Sequence, residues 1–422
     1  MPLMSVPPLK DAVLRDLEAL ARDERVKKAL DLALEEVPFA IEEQIHLCEI
    51  PAPTFHEERR ADEMERRMRA YGLTDVTRDA IGNVIGRRPG TGSGPTVALV
   101  AHMDTVFPEG TDVRVKREGN VCRAPGIGDN ASGLRALLQV LRCLNAANIE
   151  TEGDILFVAD VQEEGNGDLN GSKALCSGDI HLDGLIAIDG SDLGRVQPMG
   201  TASHSWRFIV KGPGGHSWAD FGRVPSAVHA VCRATAEIAD FEVPSDPRTS
   251  FTVGTIQGGQ TCTSIGAHCE CEVDFRSLDP TEVLRVEARI FKAFEDAVER
   301  ENRRWNAEGD MRLTLEKLLI GDIPGGMQPG DLPLLQAARA AQKILGIELT
   351  NYGSASTDAN PAISAGIPAT CLAAGGIGRG AHSLEESFVM DRIELGPQLI
   401  TLTTLAMVGL CGAVKPMLAV RS

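Results

Sequence analysis

Short apolar runs alternate with amphipathic helical patterns along most of this chain, and they predict the order of its elements. The run Val97-Ala98-Leu99-Val100 has the length and composition of a strand that is buried on both faces. Leucines recur at helical spacing over residues 134–141, which predicts a helix packed against a sheet. Further buried strands are predicted at 154–160 and 184–188. This order predicts an α/β domain with a mainly parallel sheet and helices on both faces.

The pattern changes near Thr201, where apolar and polar residues begin to alternate as they do in half-buried strands. Strands are predicted at 205–210, 251–256, 269–275 and 311–318, and helices at 225–238 and 281–300. This βαββαβ order is typical of a compact α+β unit with two helices on one sheet face. The α/β pattern returns after Gly321. We therefore predict a domain at 202–319 inserted into a larger one formed by 1–201 and 320–422.

The composition limits the class of protein. The chain has 422 residues and a formal net charge of -18, which excludes a general binder of nucleic acid or of acidic membranes. Its longest apolar tract, 400–414, contains three Thr and two Gly and predicts a buried C-terminal helix rather than a membrane span. The ten cysteines are scattered, and no apolar secretion signal follows Met1. We expect a cytoplasmic protein with reduced thiols.

Side chains that can bind metal follow the predicted strands, at the ends where open α/β sheets place their chemistry. They are His102, Asp104, Asp129, Glu163, Glu164, Asp189 and His382. Each of them alone is more often an ordinary surface residue, so the prediction depends on their joint order. Nitrogen and carboxylate ligands of this kind suit zinc, manganese or cobalt. Two adjacent divalent ions are the natural interpretation, because a water that bridges them becomes a nucleophile near neutral pH.

The spacing of these residues also suggests separate roles. Asp129 can bridge two ions, with His102 and Asp189 completing one site and Glu164 and His382 the other. Asp104 lies two residues after His102 in an extended segment, so it can accept the far imidazole N–H and fix the tautomer. Adjacent carboxylates cannot easily bind one ion together from an extended strand. One of Glu163 and Glu164 can therefore be a ligand while the other acts as a general base.

Five motifs carry a resemblance to a known family: His102-Met103-Asp104-Thr105, Gly128-Asp129-Asn130, Glu163-Glu164-Gly165, Asp189-Gly190 and Gly380-Ala381-His382. Their order resembles the dinuclear metallohydrolases that include tripeptidase T, glutamate carboxypeptidase, aminoacylase, acetylornithine deacetylase and succinyl-diaminopimelate desuccinylase. The resemblance spans nearly the whole chain. It implies that the metal ligands are His102, Asp129, Glu164, Asp189 and His382, that Glu163 is the base and that Asp104 is the orienting acid.

The inserted domain matches the lid of that family, which also forms its dimer interface. Gly214-Gly215-His216-Ser217 resembles the family's histidine turn, which implies that His216 enters the active site of a partner subunit and stabilises the oxyanion. The resemblance therefore implies a homodimer. Arg276 ends a strand that resembles the family's Asp-x-Arg strand. It can bind a substrate carboxylate, or it can form a structural ion pair with Asp274 or Glu272.

Two loops concern substrate binding. The family often has Asn-x-Ile-Pro in the lid, whereas this chain has Thr263-Ser264-Ile265-Gly266. Thr263 offers one donor fewer than Asn, which makes a standard peptide substrate less certain. Residues 354–360 resemble the family's Gly/Ser-rich loop opposite the metals, where Ser356 can line the substrate pocket or belong to an ordinary turn.

The residue pattern predicts a metal-dependent hydrolase, and the resemblance implies that it cleaves the C–N bond of a peptide or N-acyl amide with a metal-bridging water activated by Glu163. The expected substrate is a small molecule or short peptide, and zinc is favoured over manganese and cobalt. One alternative is an amidohydrolase or ammonia-releasing aminohydrolase acting on a small non-peptide, including aromatic, substrate. Another is an inactive metal-binding ligand sensor, although a free base beside a ligating acid has no use in a sensor.

Overall fold

The computed structural model describes residues 6–421, and within it the chain divides into two compact units. The first unit comprises Met1–Gly200 and Met327–Ser422, and the second comprises Thr201–Gly326. The second unit extends beyond the predicted end at residue 319. Its last long strand runs over Thr314–Ile323 rather than 311–318, because Ile323 still pairs with Ser203 on the neighbouring strand.

Most of the helices belong to the first unit. In chain order the helices are α1 (Asp11–Arg22), α2 (Glu24–Glu35), α3 (Val37–Cys48), α4 (Glu58–Ala70), α5 (Ala131–Ala146), α6 (Asn170–Ser177), α7 (Ala227–Ala239), α8 (Pro280–Arg304), α9 (Pro333–Ile344), α10 (Ala359–Ser364) and α11 (Leu395–Val408). Short 3₁₀ turns occur at Gly165–Gly167 and Gly309–Met311. The last helix ends earlier than the predicted tract 400–414, because Gly409 has a positive φ of 78° and turns the chain away.

The second unit contains four strands of ten residues, whereas most of the other strands are shorter. They are β1 (Asp75–Arg78), β2 (Val84–Arg88), β3 (Thr96–His102), β4 (Lys116–Glu118), β5 (Val121–Arg123), β6 (Asp154–Asp160), β7 (Gly184–Ile188), β8 (Arg195–Gly200), β9 (Ala202–Lys211), β10 (Gly215–His216), β11 (Thr249–Gly258), β12 (Ser264–Ile265), β13 (His268–Ser277), β14 (Thr314–Ile323), β15 (Gly326–Met327), β16 (Asn351–Ala355), β17 (Ala369–Leu372), β18 (Ile377–Arg379) and β19 (Ser387–Val389).

The first unit is built on a six-stranded sheet in the order β1-β2-β6-β3-β7-β17. The strands β6, β3, β7 and β17 are parallel, and β1 and β2 are antiparallel at one edge. Side chains of β3 alternate between two cores: Val97 and Leu99 pack with α5 and α11, whereas Ala98 and Val100 pack with α6 and α10. Helices therefore cover both faces, which confirms the predicted α/β fold.

The second unit is an antiparallel sheet in the order β11-β13-β9-β14 with α7 and α8 on one face. Its core forms where inward residues of the sheet meet α8, and the rings of Phe208 and Phe294 stack with centroids 3.9 Å apart. The predicted βαββαβ order is thereby confirmed. None of the helices within residues 6–421 combines the length and apolar character that crossing a bilayer requires.

Candidate metal centre

The candidate site lies at the carboxyl ends of the parallel strands. His102 is the last residue of β3 and follows Ala98 and Val100 on the same sheet face, because side chains of a strand alternate between faces. It is 1% exposed. Glu163 and Glu164 lie in the loop after β6, which is parallel to β3. The sheet therefore brings these residues to one edge, as the sequence pattern predicts.

Asp129 stands between two histidines. Its Oδ1 lies 3.2 Å from Nε2 of His102, and its Oδ2 lies 3.3 Å from Nε2 of His382. The same His382 nitrogen is 3.0 Å from Oε1 of Glu164. The Asn130 side chain caps α5 directly after Asp129 by accepting from the Gly133 N–H at 2.9 Å. Each oxygen of Asp129 thus faces a different imidazole.

Potential ligand atoms form three groups within the described residues, each with atoms that lie within 4.8 Å of one another. The groups are His102 with Asp129 and Asp189, Asp129 with Glu164 and His382, and His102 with Glu163 and Glu164. Asp129 belongs to two groups that otherwise have no member in common. This geometry suits two neighbouring cations that share one carboxylate.

The electrostatics of the cluster also fit cations. The Asp129 carboxylate, aided by Glu164, raises the pKa of His382 to about 9 even though burial opposes the charge. Burial raises the pKa of Glu164 to about 7, and nearby carboxylates add to this effect. Protons bound to His382 and Glu164 therefore reduce the repulsion among the carboxylates of this cluster. Divalent cations would replace them, since imidazole must be neutral to coordinate a metal.

Asp104 is fully buried, and its carboxylate connects two loops of the site through hydrogen bonds. Its Oδ1 accepts from the N–H of Glu163, and its Oδ2 accepts from the N–H of Glu164, both at 3.0 Å. The Thr54 hydroxyl also donates to Oδ2, at 2.9 Å. Nδ1 of His102 lies 3.2 Å from the main-chain oxygen of Asp104 and 3.6 Å from its carboxylate, which is beyond hydrogen-bond length. The predicted orienting role of Asp104 stays a prediction.

Glu386 is a member of the site that the sequence analysis missed. It is 1% exposed, and its carboxylate accepts from three main-chain N–H groups: Gly126 at 2.8 Å, Gly128 at 2.7 Å and Asp129 at 2.9 Å. It therefore fixes the loop that carries Asp129. The only indication in the sequence is that Glu386 lies four residues after His382. The sequence does not show that its carboxylate contacts the loop of Asp129.

Two more buried acids, Asp160 and Asp358, lie beneath the cluster. Burial and the facing carboxyl group of Asp358 raise the pKa of Asp160 well above its ordinary value. Burial likewise raises the pKa of Glu163, and Asp358, Glu164 and Asp189 reinforce the shift against the opposing effect of His102. The protein's own side chains therefore favour the protonated form of Glu163, and a bound cation would oppose this effect.

The second unit holds three other predicted site residues. His216 is exposed, and its Nδ1 accepts from the N–H groups of Trp218 at 3.2 Å and Ala219 at 3.3 Å, so its Nε2 carries the proton of the neutral ring. Strand β10, which contains His216, pairs with β12, which begins directly after Thr263. The segments that carry His216 and Thr263 are therefore adjacent. Arg276 donates through Nε to Asp274 at 2.8 Å, which is the ion-pair alternative for this arginine.

Ser356 belongs to the first unit, where it is exposed on the loop between β16 and α10. The next residue, Thr357, is buried and donates to Oε1 of Gln197 at 2.9 Å. The predicted substrate contact of Ser356 stays a prediction.

Comparison with known proteins identifies the family. The profile of peptidase family M20/M25/M40 matches residues 98–405. An N-carbamoyl-L-amino-acid amidohydrolase from Pseudomonas sp. is 32% identical over 138 residues, which are 32% of this chain and 29% of that protein. The match thus spans less than a third of this curated relative.

Solved structures share the fold at low identity. Aminopeptidase PepT from Bacillus cereus superposes with a TM-score of 0.72 at 22% identity, covering 87% of this chain and 97% of PepT. A Bacillus subtilis protein described as a dinuclear metal-binding M20 peptidase superposes with a TM-score of 0.64 at 16% identity, covering 88% and 98%. The superpositions confirm the predicted fold, and the profile match confirms the predicted family. The chain therefore belongs to peptidase family M20/M25/M40.

Proposed function

We propose that this chain hydrolyses the C–N bond of a short peptide or of an N-acyl or N-carbamoyl amino acid, with two divalent metal ions per subunit. The observation that carries the proposal is the position of Asp129, whose two carboxylate oxygens face His102 at 3.2 Å and His382 at 3.3 Å. The carbamoyl group is included because an N-carbamoyl-L-amino-acid amidohydrolase is among the relatives.

The ligand sets of the two ions follow from the groups that share Asp129. His102, Asp129 and Asp189 would hold one cation, and Asp129, Glu164 and His382 the other. Such cations polarise a carbonyl group and lower the pKa of water. Mixed nitrogen and oxygen ligands favour zinc, with manganese and cobalt as substitutes.

Glu163 acts as the proton carrier in this mechanism. Its carboxylate takes a proton from the attacking water as the water oxygen bonds to the amide carbon. It then gives that proton to the leaving nitrogen as the C–N bond breaks. The position of Glu163 supports this role, because its carboxylate lies within 4.8 Å of ligand atoms of His102 and Glu164 but belongs to neither group that contains Asp129.

His216 supplies the donor for the oxyanion. Two main-chain N–H groups occupy its Nδ1, so the Nε2–H is available to the negative oxygen that develops on the former carbonyl. We propose that it acts on the site of a second subunit, in a homodimer formed through the second unit. Thr263 on the adjoining loop and Arg276 remain candidates for substrate contact.

The location in the cell is also a proposal. All ten cysteines are free thiols, as expected for a reducing compartment. We propose that the protein is cytoplasmic.

The Glu163→Gln variant tests the mechanism. It keeps the size and polarity of the side chain but cannot carry the proton, so we expect kcat to fall by about 10²- to 10⁴-fold with the metal content unchanged. The assay uses the zinc-loaded protein with dipeptides, tripeptides, N-acetyl and N-carbamoyl amino acids and aromatic amides. The exposed Glu385→Gln is the matched control.

The outcomes separate the competing functions. Wild-type turnover in Glu163→Gln would contradict the mechanism. Release of ammonia from small non-peptides, with peptides and N-acyl amino acids untouched, would favour the aminohydrolase. Metal-dependent ligand binding without any hydrolysis would favour the sensor.

A further inference from the structure

A small cavity opens beside the candidate metal centre within the first unit. Its volume is about 170 Å³, and Asp129 and Glu386 form part of its wall. Whole small-molecule sites usually measure roughly 300–1,000 Å³, so this cavity accommodates one part of a substrate. Because Asp129 lies in the wall, whatever occupies the cavity lies close to the reacting bond.

Glycine is the commonest residue in the wall of this cavity. Four of its residues are glycines: Gly128, Gly190, Gly378 and Gly380. A Cβ atom at Gly378 would come 3.4 Å from Oγ of Ser191, across the cavity wall. The side chains left to select what enters the cavity are those of Asp129, Ser191, Arg379, Ala381 and Glu386.

Arg379 is the cationic side chain that lines the cavity. It is exposed at the end of β18, and within residues 6–421 no carboxylate pairs with it. The two acids of the wall are engaged elsewhere, since Asp129 faces two histidines and Glu386 accepts from three main-chain N–H groups. Within the described residues, the guanidinium of Arg379 therefore forms no ion pair with the acids of the wall.

Arg276, the arginine singled out from the sequence, stands in a different environment. Its Nε lies 2.8 Å from Oδ1 of Asp274, so its charge is already compensated. An unpaired guanidinium can bind a carboxylate through two parallel N–H···O bonds without first breaking an ion pair. In a chain with a net charge of -18, an arginine without an ion pair is a side chain at which an anionic substrate group gains a favourable contact.

We propose that Arg379 is a specificity-determining residue that binds a carboxylate on the side chain or acyl group of the substrate. The ligand class is an amide whose acidic side group enters the cavity, in addition to any α-carboxylate that the substrate carries. This proposal rests on the proposed amide hydrolysis and adds a preference for acidic over neutral substrates. Ser191 also lines the cavity and offers a hydroxyl for the same group.

Binding of matched probes tests this assignment without turnover. The full-length zinc-loaded protein in the Glu163→Gln background is titrated by calorimetry with N-acetyl-L-glutamate and its neutral isostere N-acetyl-L-glutamine. The aspartate and asparagine derivatives form a second pair. Each pair shares the α-carboxylate, so any contribution of Arg276 cancels. We expect the acidic member of at least one pair to bind about ten- to a hundredfold more tightly.

Single-residue variants test whether Arg379 causes the preference for the acidic probes. Arg379→Gln should bring the ratio of the two dissociation constants close to one, and Arg379→Lys should restore part of it. Arg123→Gln is the control, because Arg123 is exposed on β5 of the same small sheet but does not line the cavity. An unchanged ratio in Arg379→Gln, or a ratio near one in the parent for both pairs, would overturn the proposal.

The experiment distinguishes this failure from failure of the proposed function. A ratio that depends on Arg379 in a protein that hydrolyses no amide would refute the hydrolase function alone. Amide hydrolysis with a ratio independent of Arg379 would refute the role of Arg379 alone.

Discussion

The carboxylate of Glu386 lies directly behind Asp129 and accepts the main-chain N–H of that residue at 2.9 Å. The two residues are 257 positions apart in the sequence. The same carboxylate accepts two more N–H groups from the loop, so it holds the backbone from which the Asp129 side chain projects. Residues that orient metal ligands in this way influence metal affinity although they do not touch the metal.

Replacing Glu386 with Gln should weaken metal binding. The amide would turn an NH₂ group toward at least one main-chain N–H, leaving buried donors opposed to each other. We expect a loss of about 10- to 100-fold in zinc affinity and of about 1–3 kcal/mol in the free energy of unfolding. Competition with a zinc chelator measures the first, and denaturant unfolding measures the second. The neighbouring Glu385→Gln should leave both unchanged, and an unaltered zinc affinity in Glu386→Gln would show that the loop needs no such support.

A histidine of the second unit should make stability depend on pH. His204 Nδ1 lies 2.6 Å from Glu287 on α8, and its Nε2 lies 3.4 Å from Asp322 on β14. The hydrogen bond with Asp322 raises the pKa of His204 above its ordinary value near 6.5, with burial opposing and Glu287 adding to the rise. A histidine with a raised pKa stabilises the fold fully below the ordinary value, and this contribution disappears as the pH rises through the raised one.

The His204→Gln variant tests the direction of this pH dependence of stability. The difference in melting temperature between wild type and variant should be larger at about pH 5.5 than at about pH 9.5. His268→Gln serves as the control, because His268 is half exposed and its nearest acid is 3.9 Å away. A difference that is the same at both pH values would mean that the ion pairs of His204 contribute nothing to stability.

Mixed dimers test whether His216 acts on the partner subunit. His216→Ala and Glu163→Gln should each abolish most activity. If His216 acts in trans, the mixed dimer regains one complete site, with Glu163 from one chain and His216 from the other. Equal mixing after dissociation should then restore about a quarter of wild-type activity. If His216 acts within its own chain, neither site of the mixed dimer is complete and activity stays at the level of the single variants.

The sequence predicted those parts of the site that follow from local pattern. The alternation of sheet faces along Val97–Val100 continues to His102, and the acids after β6 and β7 lie at the same edge because parallel strands end together. Glu386 could not be found in this way. Its partners are main-chain N–H groups of a distant loop, which leave no residue type or spacing in the sequence to recognise.

Arg379 was missed for a related reason. An arginine three positions before His382 looks like an ordinary surface residue, and Arg276 matched a family motif instead. Only the folded arrangement shows that Arg276 is paired with Asp274 while Arg379 lines a cavity beside Asp129. The end of α11 differed from the predicted tract because the apolar pattern continues past Gly409, whereas the backbone turns at that glycine.

The central claim is that two metal ions sharing Asp129 are required for amide hydrolysis, and metal titration tests it most directly. Chelator-stripped protein is reconstituted with increasing zinc, bound metal is counted by mass spectrometry, and hydrolysis of the amide panel is followed in parallel. We predict about two zinc ions per chain in the wild type and a loss of both zinc affinity and hydrolysis in Asp129→Asn. Hydrolysis that persists after complete removal of metal, or a fully loaded protein with no more than one zinc per chain, would contradict the account.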